Sequence, residues 1–336
     1  MTSLLRSRAT HGTLALALLL GTAACGGTED ASESADGVQL SELRIAATEP
    51  NTLPYTALLE LGINKGWFEE EGVDLAIIAG GGGGNTLRVT TSGDADIAIT
   101  GGPSVVMGAR DPDANLTIVA PWFQYNDFAW ITPQADATLE GAKLGYSRAG
   151  STTEMIVNGM LAKLSDQSIE AVPVGGPGDN WAAAKAGHIT AGWAEEPFIS
   201  EKVSEEGARV LITAREVIGD FPADLIAVNE DYAAENADTL KAFFRVVDRL
   251  FAYVVEETEA AAKDMAPLVG VDPAIMEKSL LDMPDLEQGY SLKVDPEALE
   301  NLSDLMVTNG QITEPVDWAQ ELDQQYLPSD AQVTIP

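Results

Sequence analysis

The chain has 336 residues, 45% of them hydrophobic, and sets 53 Asp and Glu against 19 Lys and Arg for a formal charge of −34. Such an acidic surface favours solubility and repels phosphate backbones and anionic bilayers, which excludes nucleic-acid binding and membrane attachment through the protein's own charge. An anionic small ligand is still allowed, because a pocket can be locally positive.

The first element in chain order is a leader. In MTSLLRSRATHGTLALALLLGTAACGG, Arg6, Arg8 and His11 form a basic region, and Thr13 to Leu20 form an apolar run too short to span a bilayer. Residues 1–24 therefore read as a secretory signal. Thr22, Ala23 and Ala24 lead into Cys25, the single cysteine, as at a bacterial lipoprotein processing site, although Thr22 stands where leucine is usual. A thioether requires a thiol, and small side chains let the extended segment enter a peptidase cleft. A lone exported thiol would otherwise lack a partner. Acyl chains such as palmitate would hold the product at the membrane surface; ordinary secretion with an incidental cysteine is the alternative. Every acidic residue follows Cys25 while Arg6 and Arg8 precede it, so the mature chain carries 17 Lys and Arg against 53 Asp and Glu, formally −36. Residues 25–40, polar and without periodicity, form a flexible tether. The remaining chain is long enough for one large core or two medium ones.

Beyond the tether, strands are expected at 43–47, 73–80, 95–100 and 116–121, with helical segments between them. A comparable series follows: strands at 142–146, 168–174, 189–194 and 208–213 enclose helices at 151–164 and 180–187. ADLIAVN, 223–229, then precedes a long helical region beginning TLKAFFRVVDRLF, and a helix-rich tail runs to Pro336. Alternation at this spacing favours mostly parallel, layered α/β domains. Two series imply two lobes, with FAWIT and LIAVN as the crossings. Lobe one takes residues 41–128 and 225–336, lobe two takes 129–224, and a small ligand is expected between them. Two consecutive domains are the rival division.

Four stretches carry a resemblance: LLELGINKGWFEEEGVDLAII, LRVTTSGDADIAITGGPSVV, LEGAKLGYSRAGSTTEMI and AGHITAGWAEEPFI. In this order, behind a lipoprotein signal, they resemble the sulfonate, nitrate and thiamine-precursor family of ABC-transporter substrate-binding lipoproteins (SsuA/THI5-like). The resemblance implies an α/β, two-lobed periplasmic-binding-protein-like fold of type II, with mixed sheets flanked by helices and a ligand cleft between the lobes. It implies a monomeric, lipid-anchored protein on the extracytoplasmic side of the cell membrane. Such a protein captures a small-molecule nutrient for ABC permease transmembrane subunits and has no catalytic chemistry, cofactor or metal of its own. It places ligand contacts at Thr48 and Glu49, at Gly101, Gly102 and Ser104, at Ser151 and Thr152, and from Trp193 to Pro197. Thr190 stands where aspartate is frequent in the family.

The residues themselves support two cargo classes. A helix starting at Ser151 presents unpaired amides and a positive dipole end to an anion, with Thr152 and Arg148 beside it. Ser151 with Glu154 also fits a capping box, which would occupy the same amides. Glu49, Asp127 and Glu196 would instead accept donors from an amino-heterocycle. In APWFQYNDFAWITP, Trp122, Phe123, Tyr125, Phe128 and Trp130 accompany Gln124, Asn126 and Asp127; one or two rings are expected at the cargo, with Trp122 and Tyr125 as candidates, and the others in packing. Gly80 to Gly84 lacks the G-K-[ST] of a phosphate loop, and Asn85 breaks a G-x-G-x-x-G frame, so the run reads as a connection permitting close backbone approach.

Catalytic signals are sparse. His188 is the only histidine after the leader and has no metal-ligand pattern around it. Asp111, Asp113 and Asn115 begin a calcium-like loop, but Leu116 replaces its glycine and Trp122 its distal glutamate. An extracellular hydrolase with an acidic pair drawn from Asp127, Glu195 and Glu196 is the enzymatic alternative. A surface adhesion or scaffold protein is the third reading, favoured if no polar cavity separates the lobes.

Overall fold

The computed structural model describes residues 40–336. The leader, Cys25 and nearly all of the tether lie outside the described residues.

Two five-stranded mixed sheets organise the body. The first contains β1 (Ser41–Ala47), β2 (Val73–Ala79), β3 (Ile97–Gly101) and β4 (Leu116–Phe123). The second contains β5 (Ala129–Thr132), β6 (Lys143–Tyr146), β7 (Glu170–Pro173), β8 (Ala191–Ala194) and β9 (Arg209–Thr213). The chain then returns to the first sheet as β10 (Asp224–Asn229). The strand orders are β2-β1-β3-β10-β4 and β7-β6-β8-β5-β9.

Both sheets follow one plan. β1 runs parallel to β2 and β3, while β10 is antiparallel to β3 and β4. β6 runs parallel to β7 and β8, and β5 is antiparallel to β8 and β9. Four of the five strands in each sheet thus point the same way, as the expectation of mostly parallel domains has it, and each sheet is mixed, as the resemblance implies. In each sheet the strand that arrives from the other lobe, β10 or β5, inserts antiparallel beside a parallel trio, and periodicity alone carries no information about direction.

β3 and β10 are almost continuously buried because helices cover both faces of the sheet, which is why they read as apolar runs. The helix Ala237–Glu256 places Leu240, Phe243, Phe244, Val247, Leu250, Phe251 and Val254 in this core, a spacing of three and four that forms one stripe. The long helical region expected here consists of two helices. At Glu257 the backbone leaves the helical region (φ −124°, ψ 44°), and a new helix runs Thr258–Val269. The Thr258 hydroxyl donates to the Val254 and Val255 carbonyls, supplying partners that the ended helix lacks.

The second sheet depends on two glycines for its packing. A Cβ on Gly145 would stand 2.0 Å from Asn180 Oδ1, and one on Gly192 would stand 2.6 Å from Asn180 Cβ. The helix Pro177–Lys185 can therefore lie directly on β6 and β8. At the crossing after β4, the fully buried Gln124 ties the lobes' junction to the C-terminal segment. Its Nε2 donates to the carbonyls of Ser291 (2.9 Å) and Lys293 (2.8 Å), and its Oε1 accepts from the Asp295 amide (2.8 Å).

Candidate functional site

In α/β sheets the carboxyl ends of parallel strands open onto a crevice, where loops and helix N-termini converge. Here both sheets point those ends into one cavity of about 600 Å³. Lobe one supplies Thr48 and Glu49 after β1, Gly81 to Gly84 after β2, and Thr100, Gly101 and Ser104 from the end of β3. Lobe two supplies Ser147 to Thr153 after β6, Gly175 to Pro177 after β7, and Trp193 with Glu195 from the end of β8. The antiparallel strands enter from the same edge, so Phe128 just before β5 and Asp224 at the start of β10 also line it.

The glycine run forms one rim. Gly81 and Gly82 have φ of 69° and 139°, conformations that a side chain resists, and a Cβ on Gly83 would collide with Ser104 Oγ at 2.5 Å. A Cβ on Gly82 would lie 3.2 Å from the Arg148 guanidinium, and one on Gly101 would lie 3.1 Å from Thr152 Oγ1. Backbone from lobe one thus approaches side chains from lobe two at two points. Beneath the rim, the Thr48 hydroxyl pairs with Thr100 and Thr86.

The floor is acidic and aromatic. Tyr55, in the short 3-10 turn Tyr55–Ala57, donates its hydroxyl across the cavity to Glu195 Oε1 at 3.3 Å. Tyr55 stacks on Phe123 at 4.2 Å, and Phe128 lies against Trp193 at 6.2 Å. Burial pushes Glu195 well above the usual carboxylate range, with the Asp127 and Asp224 charges adding to it. Burial likewise raises Asp224 to about 7, reinforced by Glu49. Glu49, Glu195 and Asp224 face this cavity, whereas Arg148 is the one basic residue lining it among the described residues.

The opposite rim is the start of the helix Thr152–Lys163. Ser151 Oγ accepts from the Glu154 amide at 3.2 Å, and Glu154 Oε2 accepts from the Gly150 amide at 2.6 Å. The Ser147 amide donates to Thr153 Oγ1 at 2.9 Å. The capping expected from S-x-x-E is thus present, with the carboxylate reaching Gly150 rather than Ser151.

Of the residues singled out by sequence, Thr48, Glu49, Gly101, Ser104, Ser151, Thr152 and Trp193 come together around this cavity. Gly102 does not; it packs under the Pro222 carbonyl and Leu302. Trp122 is buried against Phe251, its ring 5.6 Å away. Tyr125, Asn126, Asp127 and Glu196 line a different cavity. Tyr55, Thr100, Phe128 and Asp224 line the cleft without having been chosen. Of the three acids from which a pair was expected, Glu195 faces the cleft, while Asp127 and Glu196 stay together on the other cavity. His188 is exposed beyond the end of a helix. Among the described residues no group of three His, Cys, Asp or Glu side chains has a metal-holding arrangement, and no helix is long and apolar enough to cross a membrane.

Solved structures share this architecture. The periplasmic aliphatic sulphonate binding protein SsuA of Escherichia coli is 16% identical, with a TM-score of 0.66 over 88% of this chain and 96% of its own. The alkanesulfonate-binding protein SsuA of Xanthomonas axonopodis pv. citri, solved with MOPS, is 17% identical, with a TM-score of 0.62 over 87% and 99%. The desulfurization enzyme DSZB is 15% identical, with a TM-score of 0.64 over 86% and 98%. At these identities the likeness concerns the fold alone. No curated protein sequence matches the chain. The profile of the family described as NMT1/THI5 like matches residues 54–261, well over half of the sequence, and the chain belongs to that family.

Proposed function

We propose that the protein is the substrate-binding lipoprotein of an ABC importer, capturing a small organic nutrient without chemical turnover and presenting it to a permease. The observation that carries this reading is the cleft: a cavity of about 600 Å³ whose lining comes from both sheets, so that an occupant contacts both lobes at once. A ligand that binds both lobes favours the closed population over the open one, and the closed form is a distinct surface for a permease to read. Family membership and the binding proteins that share the fold support the same role. The fold also hosts the desulfurization enzyme, so the assignment rests on the site.

Between the two cargo classes, the lining favours a pyrimidine-like heterocycle bearing amine donors. Three carboxyl groups and the rings of Tyr55, Phe128 and Trp193 outweigh one exposed arginine, and Glu154 and Ser151 already occupy part of the helix N-terminus that an anion would use. The leader and Cys25 support export followed by lipid anchoring on the extracytoplasmic face, with the body acting as a monomer on its tether. The division into lobes at 41–128, 129–224 and 225–336 belongs to the same proposal.

The test is a thermal-shift and calorimetric screen of the purified protein against aminopyrimidines, aliphatic sulfonates, nitrate and aromatic acids. Saturable stabilisation by aminopyrimidines without product formation is expected, with at least a tenfold loss in Glu195→Gln. Preferential binding of a sulfonate would reverse the choice of cargo, and product formation would overturn the capture role.

A further inference from the structure

The cleft holds carboxyl oxygens that no group of the described residues engages. Asp224 stands beside Gly101 and Phe123 at the start of β10. Phe123 carries the Tyr55 ring at 4.2 Å, and the Tyr55 hydroxyl reaches Glu195 Oε1 at 3.3 Å. One short chain of contacts therefore sets an acid of lobe one and an acid of lobe two on the same floor. Glu195 is 8% exposed and its Oε2 has no partner among the described residues; nor has either oxygen of the partly exposed Asp224. Unlike Asp127 Oδ1, these three atoms are not sealed inside the protein, and both residues line the cavity.

The ionisable and charged groups around Asp224 are Glu49 and Tyr55 in lobe one, Glu195 in lobe two, Asp127 at the junction and Arg148 on the rim. All but Arg148 are acidic groups, and Arg148 is exposed. Burial, then the Glu49 charge, raises Asp224 to about 7, the response of a carboxyl without a counterion. Positive charge for this floor must come from the occupant. The two oxygens of a carboxylate match a pair of parallel N–H donors on a planar cation. An aminopyrimidine has such an edge, an exocyclic amine beside a ring nitrogen, once that nitrogen is protonated.

We infer that Asp224 determines specificity in the cleft by holding the cargo as a planar amidinium cation, a reading that rests on the capture role proposed above. Both Asp224 oxygens accept from the paired N–H groups, and Glu195 Oε2 accepts a further N–H from the other lobe. An aminopyrimidine takes the Asp224 proton onto its ring nitrogen, so the proton stays within the pair. An amidine that arrives charged cannot take it, and the proton leaves to solvent. A carboxamide of the same shape places its own oxygen against the Asp224 carboxylate once that proton has gone.

Calorimetry on the purified full-length protein with benzamidine and its neutral isostere benzamide tests this. At pH 8 benzamidine is expected to bind saturably and at least tenfold more tightly than benzamide. Its affinity should rise about tenfold from pH 6 to pH 8 as the Asp224 proton ceases to compete, and paired titrations in phosphate and Bis-Tris at pH 6 should return about one proton released per benzamidine bound. Asp224→Asn should weaken benzamidine tenfold or more at pH 8 and abolish the proton release. Its thermal midpoint at that pH should be no lower than the parent's, because the amide brings no charge into a buried place. In Glu195→Gln the proton release should persist, since the cation's charge partner is Asp224. Equal affinity for the two compounds at pH 8, absence of saturable benzamidine binding, an affinity independent of pH, or undiminished affinity in a folded Asp224→Asn overturns the proposal. The capture reading fails separately, on product formation.

Discussion

Glu195 and Glu196 are consecutive in the chain and serve different cavities: Glu195 meets Tyr55 across the cleft, and Glu196 accepts from the Ser200 amide and hydroxyl behind it. An acidic dipeptide thus becomes two unlike sites through the alternation of an extended segment, and a mutation at one should be separable from a mutation at the other.

Stability should fall as pH rises. Asp224 and Asp127 are raised from an ordinary 3.8 to about 7 and about 8, and Glu195 is raised well above its usual range, each chiefly by burial. The folded chain therefore keeps protons that the unfolded chain has lost, so the unfolding free energy declines from about pH 4 to about pH 8. The midpoint of thermal unfolding, followed by circular dichroism, should drop over that window. Asp224→Asn should flatten the drop, and an unchanged profile in that variant would show that Asp224 does not hold its proton.

Gly192→Ala should destabilise the protein by about 2 kcal/mol, the scale of overpacking in a core. The added methyl meets Asn180 Cβ at 2.6 Å and its backbone at 2.9 Å, atoms that cannot rotate away. Urea unfolding monitored by tryptophan fluorescence gives the value. A neutral result would mean that the helix Pro177–Lys185 has room to move off the sheet.

Gln124→Leu should be more severe, at about 3 kcal/mol, because it leaves the Ser291 and Lys293 carbonyls and the Asp295 amide without their shared partner. Gln124→Glu retains only an acceptor in place of the donating Nε2 and should rescue little. Denaturant midpoints of the two variants would separate loss of donors from loss of volume.

Ser151→Ala should cost about 1 kcal/mol through loss of the helix cap. If cargo is held by the acidic floor, aminopyrimidine affinity should change less than twofold in the same variant. A tenfold loss of affinity would place the ligand's recognised group at the helix N-terminus instead.

The strands were legible because β3, β4 and β10 are nearly continuous buried apolar runs, and the cleft residues after β1, β3, β6 and β8 follow once the strands are placed. Asp224 was not legible. It enters the cleft only because β10 runs antiparallel, which brings the beginning of that strand, rather than its end, to the ligand edge. Tyr55 meets a partner 140 residues away, a separation that local pattern does not encode. In the aromatic segment the backbone between β4 and β5 is irregular, so no fixed period told Phe128 from Trp122 or Tyr125.

The position of β10 also bears on how the chain reaches its folded state. β5 to β9 are consecutive in sequence and can assemble as they emerge, but β3 and β4 stay apart until the strand that joins them has been synthesised. The outer margin of β4 waits longer still, since its Ile118 carbonyl is met by the Asp323 amide near the carboxyl terminus. Until then two apolar ribbons offer unpaired backbone to any neighbouring polypeptide, an invitation to aggregate. Premature termination before residue 224 should therefore yield insoluble material rather than a smaller working receptor.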